Sequence, residues 1–396
     1  PEPDMLEMDM KPVKVAILGA SGWMGKVHAL GYRNAPLLFG SDRGMAEIVL
    51  IVDENEGRLR EIAPALGNPR MATDWHVAVN DPEVDLVDIC LPDFLHFEVA
   101  KAALEGGKHV YCEKPLCDTS AQSAELAALA RSKGLITKVG HNFPKNPAHK
   151  VARDIIKGGE LGEIRLFRAS LQVDVLASPS APFMWRCDGD LAPTGAIGDM
   201  ATHAFSMIDY LIGDIAELIA DTGTITRYRP YKPGFNYGED SSGGDTSQMR
   251  EVTNPDYLHL MFNLASGGKG ILDVSRVATG RRFLQNYDIY GTDGGLSFDY
   301  DEVNRLRFYA ASDKRGRQGW RAIDVGPEVD TYAAFSPLAN LSVGYNEFKA
   351  IEVGEVIQSI ASGSPAWPTF EDGDRIMKLV DCCLKSSRER SWVKVS

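Results

Sequence analysis

The sequence has few cysteines, no long apolar run and fewer basic than acidic residues, and each shortage excludes a class of protein. The six cysteines show no CxxC spacing, which argues against a disulfide or zinc framework and favours a reducing cytoplasm. No stretch approaches the roughly 18 apolar residues that span a bilayer. The first ten residues are acidic, so we expect neither a membrane segment nor a secretory signal. With 42 basic against 55 acidic residues, the net charge of −13 disfavours nucleic acid and anionic membranes as partners.

The length of 396 residues exceeds what one hydrophobic core usually organises, so we expect two domains with room for a cleft. In residues 12–145, short apolar runs alternate with amphipathic segments of helical length, which predicts an α/β domain with a doubly wound parallel (Rossmann) sheet. The predicted strands are Lys14–Leu18, Ile48–Val52, Leu86–Cys90, His109–Cys112 and Ile136–Val139. Helices are predicted to begin near Met24, Glu56, His96 and Ser120.

Residues 146–396 predict an α+β domain with an open, mainly antiparallel sheet. Helices over 148–157 and 198–212 and a strand over 164–173 precede a meander, in which each strand is expected to bond to the next. Its strands are predicted at 257–264, 270–277, 284–290, 295–300 and 305–310. We expect helices near 345–362 and 371–387 to cover this sheet, and its open face to form a homodimer or homotetramer. The stretch 227–254 is interpreted as a lid or an oligomer contact.

A glycine-rich turn follows the first predicted strand. Its spacing is GxxGxxG, one residue longer than GxGxxG, and it opens a helix, so backbone N–H groups and the helix N-terminus can hold a pyrophosphate. Such turns also close ordinary strand–helix junctions, but the position at the first strand of an alternating βα pattern favours a dinucleotide. The candidate residues are Gly19, Ser21, Gly22, Trp23, Met24 and Gly25.

An acidic pair, Asp53 and Glu54, ends the second predicted strand. A carboxylate at this place can accept hydrogen bonds from the adenosine ribose diol, and two acids would repel a 2′-phosphate. We therefore predict NAD as the cofactor in preference to NADP, although Arg58 could turn towards a phosphate. The alternative is that Asp53 only caps the helix that follows.

A lysine, Lys114, follows the strand His109–Cys112, at the edge of the sheet where ligands of doubly wound folds gather. Taken alone, a lysine here is more readily explained as a solvated surface charge than as a functional residue. Pro115 restricts the backbone of Lys114 to extended conformations, which suggests that the direction of its side chain matters.

The sequence resembles the Gfo/Idh/MocA family of sugar and polyol oxidoreductases, whose Glu-Lys-Pro hallmark matches Glu113-Lys114-Pro115. The segment from Leu91 and Pro92 to His96 is similar to the family's TPxxxH motif, with Leu91 in place of Thr, and 107–110 is similar to its GKHV motif. Stretches at 185–186, 195–199 and 345–347 look most like the levoglucosan dehydrogenase branch. The resemblance implies that Leu91, Pro92, His96 and Glu113 lie at the cofactor.

Asp199 and His203 are four residues apart at the start of a predicted helix, so their side chains are expected on one face. From the residues alone, two interpretations are equally good: Asp199 caps the helix and His203 is a core histidine, or the two side chains act as a pair. The family's Asp-x-x-x-His motif implies instead that they are acid–base partners of Lys114. We predict no metal, since no third ligand at metal-site spacing is evident.

Four further residues fall where the resemblance implies contacts with substrate or nicotinamide. These are Asn142, Gln172, Trp185 and Arg186. His28, on the first predicted helix, is interpreted as a packing or supporting residue.

Together these features predict an NAD-dependent dehydrogenase that oxidises a ring hydroxyl of a sugar, anhydrosugar, glycoside or cyclic polyol. His203 is the candidate base, Lys114 polarises the hydroxyl oxygen, and Asp199 orients His203. Two alternatives remain. One is an NAD-binding sensor without turnover, and the other is an enzyme that cleaves glycosides through transient oxidation.

Overall fold

The computed structural model describes residues 11–235, 244–341 and 343–395. The chain forms two compact units. Unit 1 consists of Pro1–Glu113, described from residue 11 onward, with Leu126–Gly140 and Asn346–Phe370. Unit 2 consists of Lys114–Glu125, His141–Tyr345 and Glu371–Ser396. None of the helices in the described residues has the length and apolar content needed to cross a bilayer.

The helices and strands alternate in the first part of the chain, and strands dominate the middle. The helices are α1 (Trp23–Phe39), α2 (Glu56–Ile62), α3 (His76–Asn80), α4 (His96–Glu105), α5 (Ser120–Lys133), α6 (Pro147–Lys157), α7 (Thr202–Ile212), α8 (Asp330–Ala333), α9 (Tyr345–Ser362) and α10 (Phe370–Glu389). The strands are β1 (Val13–Leu18), β2 (Ala46–Val52), β3 (Arg70–Ala72), β4 (Leu86–Ile89), β5 (His109–Cys112), β6 (Thr137–Val139), β7 (Ile164–Gln172), β8 (Ile215–Gly223), β9 (Tyr228–Tyr231), β10 (Asp245–Glu251), β11 (Tyr257–Leu264), β12 (Lys269–Ser275), β13 (Leu284–Gly291), β14 (Gly294–Asp299), β15 (Arg305–Ala310), β16 (Arg321–Asp324) and β17 (Val393–Lys394).

Unit 1 contains a six-stranded sheet in the order β3-β2-β1-β4-β5-β6, and all of its strand pairs are parallel. The predicted doubly wound sheet is confirmed. Strands β1, β4 and β5 are buried almost completely, which is why they read as continuous apolar runs. The direction of winding reverses between β1 and β4, and ligands of such sheets bind at the carboxyl ends of strands at this point.

Helix α9 packs in unit 1, although the sequence pattern predicted that it would cover the C-terminal sheet. Its residues Val353, Val356 and Ile357 belong to the core cluster that contains Ile17 and Tyr32. The prediction was wrong because an apolar helix face does not specify which sheet it will cover. The segment 346–370 therefore belongs to unit 1 by its contacts.

Unit 2 contains a nine-stranded sheet in the order β16-β15-β14-β13-β7-β12-β11-β8-β17. The sheet is mainly antiparallel, as predicted, but the simple meander was wrong. Strand β7 lies between β12 and β13, parallel to the first and antiparallel to the second. Helix α7 packs against β7 and α6, and the other face is open, so that Leu166, Met261 and Ile271 are exposed while Leu258 and Leu260 are buried.

The stretch 227–254 contains an antiparallel hairpin of β9 and β10. Residues 236–243 of this stretch lie outside the described residues. The side chain of Arg229 is fully buried and donates to the carbonyl oxygens of Leu176 and Ser178, at 2.6 and 3.0 Å. The hairpin is thereby attached to the irregular loop that precedes Trp185.

Candidate functional site

Two glycines of the turn after β1, Gly19 and Gly25, have no room for a side chain. Gly19 has φ +75°, and a Cβ atom on it would lie 2.4 Å from the carbonyl oxygen of Cys90. A Cβ on Gly25 would lie 2.3 Å from the carbonyl oxygen of Gly19. Helix α1 follows, and its N-cap residue Gly22 makes no side-chain cap. A tight glycine turn at a helix N-terminus is the arrangement that accepts a pyrophosphate, so these residues fit a dinucleotide.

The carboxylate of Asp53 holds this turn against the end of β2. Its Oδ2 accepts hydrogen bonds from the backbone N and the Oγ of Ser21, at 3.1 and 2.7 Å. The cap of α2 is Asn55, whose side chain accepts from the backbone N of Arg58 at 3.0 Å, so Asp53 is not the helix cap. Each carboxylate oxygen has more than one lone pair, and Asp53 can therefore also accept from a ribose hydroxyl.

The segment after β4 is fixed by His96, the first residue of α4. The Nε2 of His96 donates to the carbonyl oxygen of Leu91 at 2.9 Å. Because a carbonyl oxygen only accepts, this ring nitrogen carries the hydrogen. His96 thus shapes the backbone of Leu91 and Pro92, next to the carbonyl of Cys90 that Gly19 approaches.

Glu113 lies in a buried ion cluster, which the sequence did not predict. We define the ion cluster as His28, Asp88, Glu113, Lys349 and Glu352, all within unit 1. The Oε1 of Glu113 is 3.0 Å from His28 Nε2 and 2.5 Å from Lys349 Nζ. Burial alone would raise the pKa of Glu113, but the Lys349 ammonium and His28 hold it well below its usual value.

The other members complete the ion cluster. Lys349 Nζ also donates to Glu352 Oε2 at 2.8 Å, and His28 Nδ1 lies 2.9 Å from both oxygens of Asp88. His28 was interpreted as a supporting residue, whereas no sequence signal singled out Lys349. Its spacing to Glu352 is that of an ordinary solvated helical pair.

The ligand atoms of His28, Asp88 and Cys90 lie within 4.8 Å of one another, which is close enough for a metal ion. However, Asp88 is bonded to His28, and burial and the charge of Asp88 raise the pKa of the Cys90 thiol well above its usual value. A thiol that keeps its proton is a poor metal ligand. That the chain binds no metal stays a prediction.

In unit 2, Lys114 and Asp199 form a close ion pair. Lys114 Nζ donates to Asp199 Oδ1 at 2.8 Å and to the Asp199 carbonyl oxygen at 2.7 Å. Both side chains are mostly but not fully buried, with 16% and 18% of their surface exposed. A cation held in this way can polarise a bound oxygen and remain accessible to it.

Asp199 is placed by an unusual turn. It lies in a π-helical turn, Ile197–Ala201, that precedes α7. Gly195 enters this turn at φ +52°, and a Cβ on Gly198 would collide with Thr194 Oγ1. Because Asp199 lies outside the α-helix proper, the α-helical geometry used to place it on one face with His203 does not apply.

Arg186 is the second cation beside Asp199. Its Nε is 3.9 Å from Asp199 Oδ2, and its guanidinium stacks 4.1 Å from the ring centre of Trp185. The carboxylate of Asp199 therefore lies between Lys114 and Arg186. The sequence singled out all four residues, but it did not predict the pairing of Arg186 with Asp199.

His203 and Asn142 lie in an apolar, aromatic environment. The ring of His203 meets that of Phe143 edge-on at 4.7 Å, and that of His141 at 5.9 Å. The amide of Asn142 is fully buried, and neither its oxygen nor its nitrogen has a hydrogen-bond partner among the described residues. Such a group usually has a partner in the functional state, so it fits a polar ligand.

Gln172 is placed differently from the other candidates. It is the last residue of β7 and donates a hydrogen bond to the carboxylate of Asp273 on β12. Along β7 the buried residues are Phe167 and Leu171, so Gln172 belongs to the opposite, open face of the sheet.

Two family models match the chain. Residues 13–141 match the model described as an oxidoreductase family with an NAD-binding Rossmann fold, and residues 149–297 match the GFO/IDH/MocA C-terminal domain. Levoglucosan dehydrogenase of Pseudarthrobacter phenanthrenivorans is 33% identical over 389 residues, which cover 98% of this chain and 99% of that protein.

Solved structures agree with these matches. Levoglucosan dehydrogenase in complex with NADH and levoglucosan superposes with a TM-score of 0.90 at 32% identity, over 97% of this chain and 100% of that chain. An NAD-binding oxidoreductase from Klebsiella pneumoniae gives 0.88 at 33% identity, over 97% and 99%. The chain is an oxidoreductase of the Gfo/Idh/MocA family, similar to levoglucosan dehydrogenase and with an N-terminal NAD-binding Rossmann domain.

Proposed function

We propose that this chain is an NAD-dependent dehydrogenase that oxidises a ring hydroxyl of a sugar, anhydrosugar, glycoside or cyclic polyol, or reduces the corresponding ketone or lactone. The observation that carries this proposal is the ion pair of Lys114 and Asp199, whose Nζ and Oδ1 atoms are 2.8 Å apart. Lys114 is the second residue after the end of β5. Its support is the likeness to a levoglucosan dehydrogenase that binds NADH. We also propose that residues 12–145 form the NAD-binding domain and that residues 146–396 form the substrate-binding domain, with Lys114 and Asn142 of the first range also contacting the substrate.

In the proposed reaction the carbon–hydrogen bond and the oxygen–hydrogen bond of one alcohol both break. Bound NAD supplies the hydride acceptor. Lys114 donates a hydrogen bond to the alcohol oxygen and stabilises its developing negative charge, while Asp199 holds the ammonium group. His203 is the proposed base for the hydroxyl proton, and the buried amide of Asn142 binds a neighbouring hydroxyl.

The test of these roles is Lys114→Ala. We expect NAD binding to be retained and turnover to fall by about 100-fold or more, because a positioned proton-transfer group contributes this much. Lys150→Ala is the matched control, since Lys150 is exposed and pairs with Asp154 one helical turn away. Near-normal turnover in Lys114→Ala would contradict the assignment.

A panel of sugars, anhydrosugars, glycosides and inositols, assayed for NADH absorbance, tests the substrate class. Sugar release without net NADH would indicate glycoside cleavage through transient oxidation. Cofactor binding with neither signal on any compound would favour a sensor.

We propose NAD in preference to NADP, because the carboxylates of Asp53 and Glu54 follow β2 and would repel a 2′-phosphate. Asp53→Asn removes the charge but keeps an oxygen that can accept from Ser21. We expect this variant to lose preference for NAD, measured as the ratio of kcat/KM for the two cofactors. A clear NADP preference of the unmodified protein would contradict the proposal.

We further propose that the open face of the unit 2 sheet pairs with a second copy of the chain, giving a dimer or tetramer. The support is the exposure of Leu166, Met261 and Ile271 on that face. Light scattering after gel filtration measures the mass in solution. A monomer at all protein concentrations would exclude this assembly. A cytoplasmic location stays a prediction.

A further inference from the structure

Two short turns in unit 2 carry the residues beside Lys114, and one segment of chain contacts the first turn and the residues that lead into the second. Arg186 lies in the turn Trp185–Cys187 and Asp199 in the turn Ile197–Ala201. The side-chain nitrogen of Asn254 donates to the carbonyl oxygen of Arg186 at 2.9 Å and to that of Ala192 at 2.7 Å. The next residue, Pro255, accepts from the backbone N of Ala196 at 2.9 Å.

A buried arginine completes this arrangement. Arg276 donates from Nη1 to the carbonyl oxygen of Arg186 at 2.8 Å and from Nη2 to Asn254 Oδ1 at 2.7 Å. Its Nε donates to Asp256 Oδ1 at 2.9 Å, and the side chains of Arg276 and Asp256 are fully buried. The second oxygen of Asp256 accepts from the backbone N of Ile225 at 2.8 Å.

The carbonyl oxygen of Arg186 therefore has two donors, Arg276 and Asn254, which occupy both of its lone pairs. The ion pair between Arg186 and Asp199 is long and about one fifth exposed, and pairs of this kind hold their geometry weakly. A buried, fully hydrogen-bonded ion pair instead fixes the position of its neighbours.

We infer that Asn254, Asp256 and Arg276, which we call the brace, are positioning residues that hold the Arg186 guanidinium beside Asp199. The inference rests on the proposed function, in which Asp199 holds the ammonium of Lys114. Without the brace, the backbone of Arg186 loses both donors and the guanidinium leaves Asp199. Lys114 then lies in a different charge environment, and the rate of proton and hydride transfer falls while the cofactor site in unit 1 is intact.

The first test compares two buried asparagines. Asn254→Ala removes a member of the brace, whereas Asn304→Ala removes an amide that donates to the carbonyl oxygen of Leu341 elsewhere in unit 2. Both variants are expected to lower Tm. Only Asn254→Ala is expected to lower kcat, by about tenfold or more, with KM for NAD unchanged. Equal kcat losses in the two variants, or no loss in Asn254→Ala, would overturn the inference.

The second test is a double-mutant cycle with Arg186→Gln. If the brace acts through Arg186, adding Asn254→Ala to Arg186→Gln causes no further loss of kcat. Losses that multiply would show that Asn254 acts by another route. Arg276→Lys keeps a positive charge for Asp256 but loses the planar guanidinium group that also donates to Arg186 and Asn254. Its kcat is expected to lie between the kcat of the unmodified chain and that of Arg276→Gln.

A third measurement does not depend on activity. Phenylglyoxal modifies arginines, and mass spectrometry of the Arg186 peptide gives the rate at that residue. We expect Arg186 to react about threefold faster or more in Asn254→Ala, and at the unmodified rate in Asn304→Ala. If phenylglyoxal modifies Arg186 at an unchanged rate in Asn254→Ala, the inference that the brace positions Arg186 is overturned. A faster rate in a chain that oxidises no substrate would support the brace and contradict the proposed function.

Discussion

Raising the pH from about 6 to about 9 is expected to remove about 2 kcal/mol of stability from unit 1, because His28 loses its proton. Burial lowers the pKa of His28, but the two oxygens of Asp88 and the carboxylate of Glu113 outweigh it and raise the value from 6.5 to about 8. Both ring nitrogens lie within 3.0 Å of carboxylate oxygens, so the doubly protonated ring donates twice.

The sign follows from proton counts in the two states. Below pH 6.5 the histidine is protonated in both the folded and the unfolded chain, and its contribution is fully present. Between 6.5 and about 8 only the folded chain keeps the proton, so the free energy of unfolding falls as the pH rises. A shift from 6.5 to about 8, at about 1.4 kcal/mol per unit, gives about 2 kcal/mol.

Urea unfolding of the unmodified chain and of His28→Gln over this pH range measures the effect. Glutamine keeps an amide donor but cannot titrate. At low pH the variant is therefore expected to be less stable than the unmodified chain, and its free energy of unfolding is not expected to fall as the pH rises. The titration of the His28 ring protons by NMR should have its midpoint near pH 8. The same pH dependence in both proteins would refute the reasoning, as would stability that rises with pH.

Three further perturbations test other parts of the structure. Burial lowers the pKa of His149 from 6.5 to about 3, so the stability that its neutral ring contributes is present above pH 6.5 and is lost as the pH falls. The loss in the free energy of unfolding reaches about 5 kcal/mol near pH 3. His149→Phe should therefore make the stability of unit 2, measured by urea unfolding, depend less on pH in this range. Gly19→Ala brings a methyl group against the carbonyl oxygen of Cys90, and should weaken NAD binding by calorimetry about tenfold or more. Lys349→Met removes the buried ammonium group that pairs with both Glu113 and Glu352, and should lower the free energy of urea unfolding by about 3 to 5 kcal/mol. A loss of unfolding free energy below about 1 kcal/mol in Lys349→Met would mean that the ion pair of Lys349 and Glu113 is hydrated.

Local sequence patterns predicted the elements of unit 1 well. The strand His109–Cys112 has the predicted bounds, and β1 and β4 differ by one residue, because buried parallel strands are continuous apolar runs. Partners of these elements were harder to predict. The insertion of β7 between β12 and β13 pairs segments that are distant in sequence, and no local pattern encodes such pairing.

The candidate site shows the same division. The sequence singled out Lys114, Asp199 and Arg186, since each stands in a recognisable motif. Their arrangement depends on a π-helical turn and on two glycines whose role appears only when the neighbouring backbone is known. Asn254 and Arg276 carried no signal, because a buried arginine is identified by its partners and not by its own spacing.

The ion cluster explains why such groups escape sequence reasoning and what they do. Lys349 and Glu352 stand three residues apart on α9, a spacing that usually marks a solvated helix face. They are buried because other elements supply their partners: Glu113 accepts from Lys349, and Tyr111 on β5 donates to Glu352. Replacing a whole buried cluster by apolar residues is often neutral or stabilising, whereas removing one member is strongly destabilising. Removing one charge of α9 is therefore expected to destabilise unit 1 more than replacing the whole cluster, and these charges fix the carboxylate of Glu113, the residue bonded directly to Lys114.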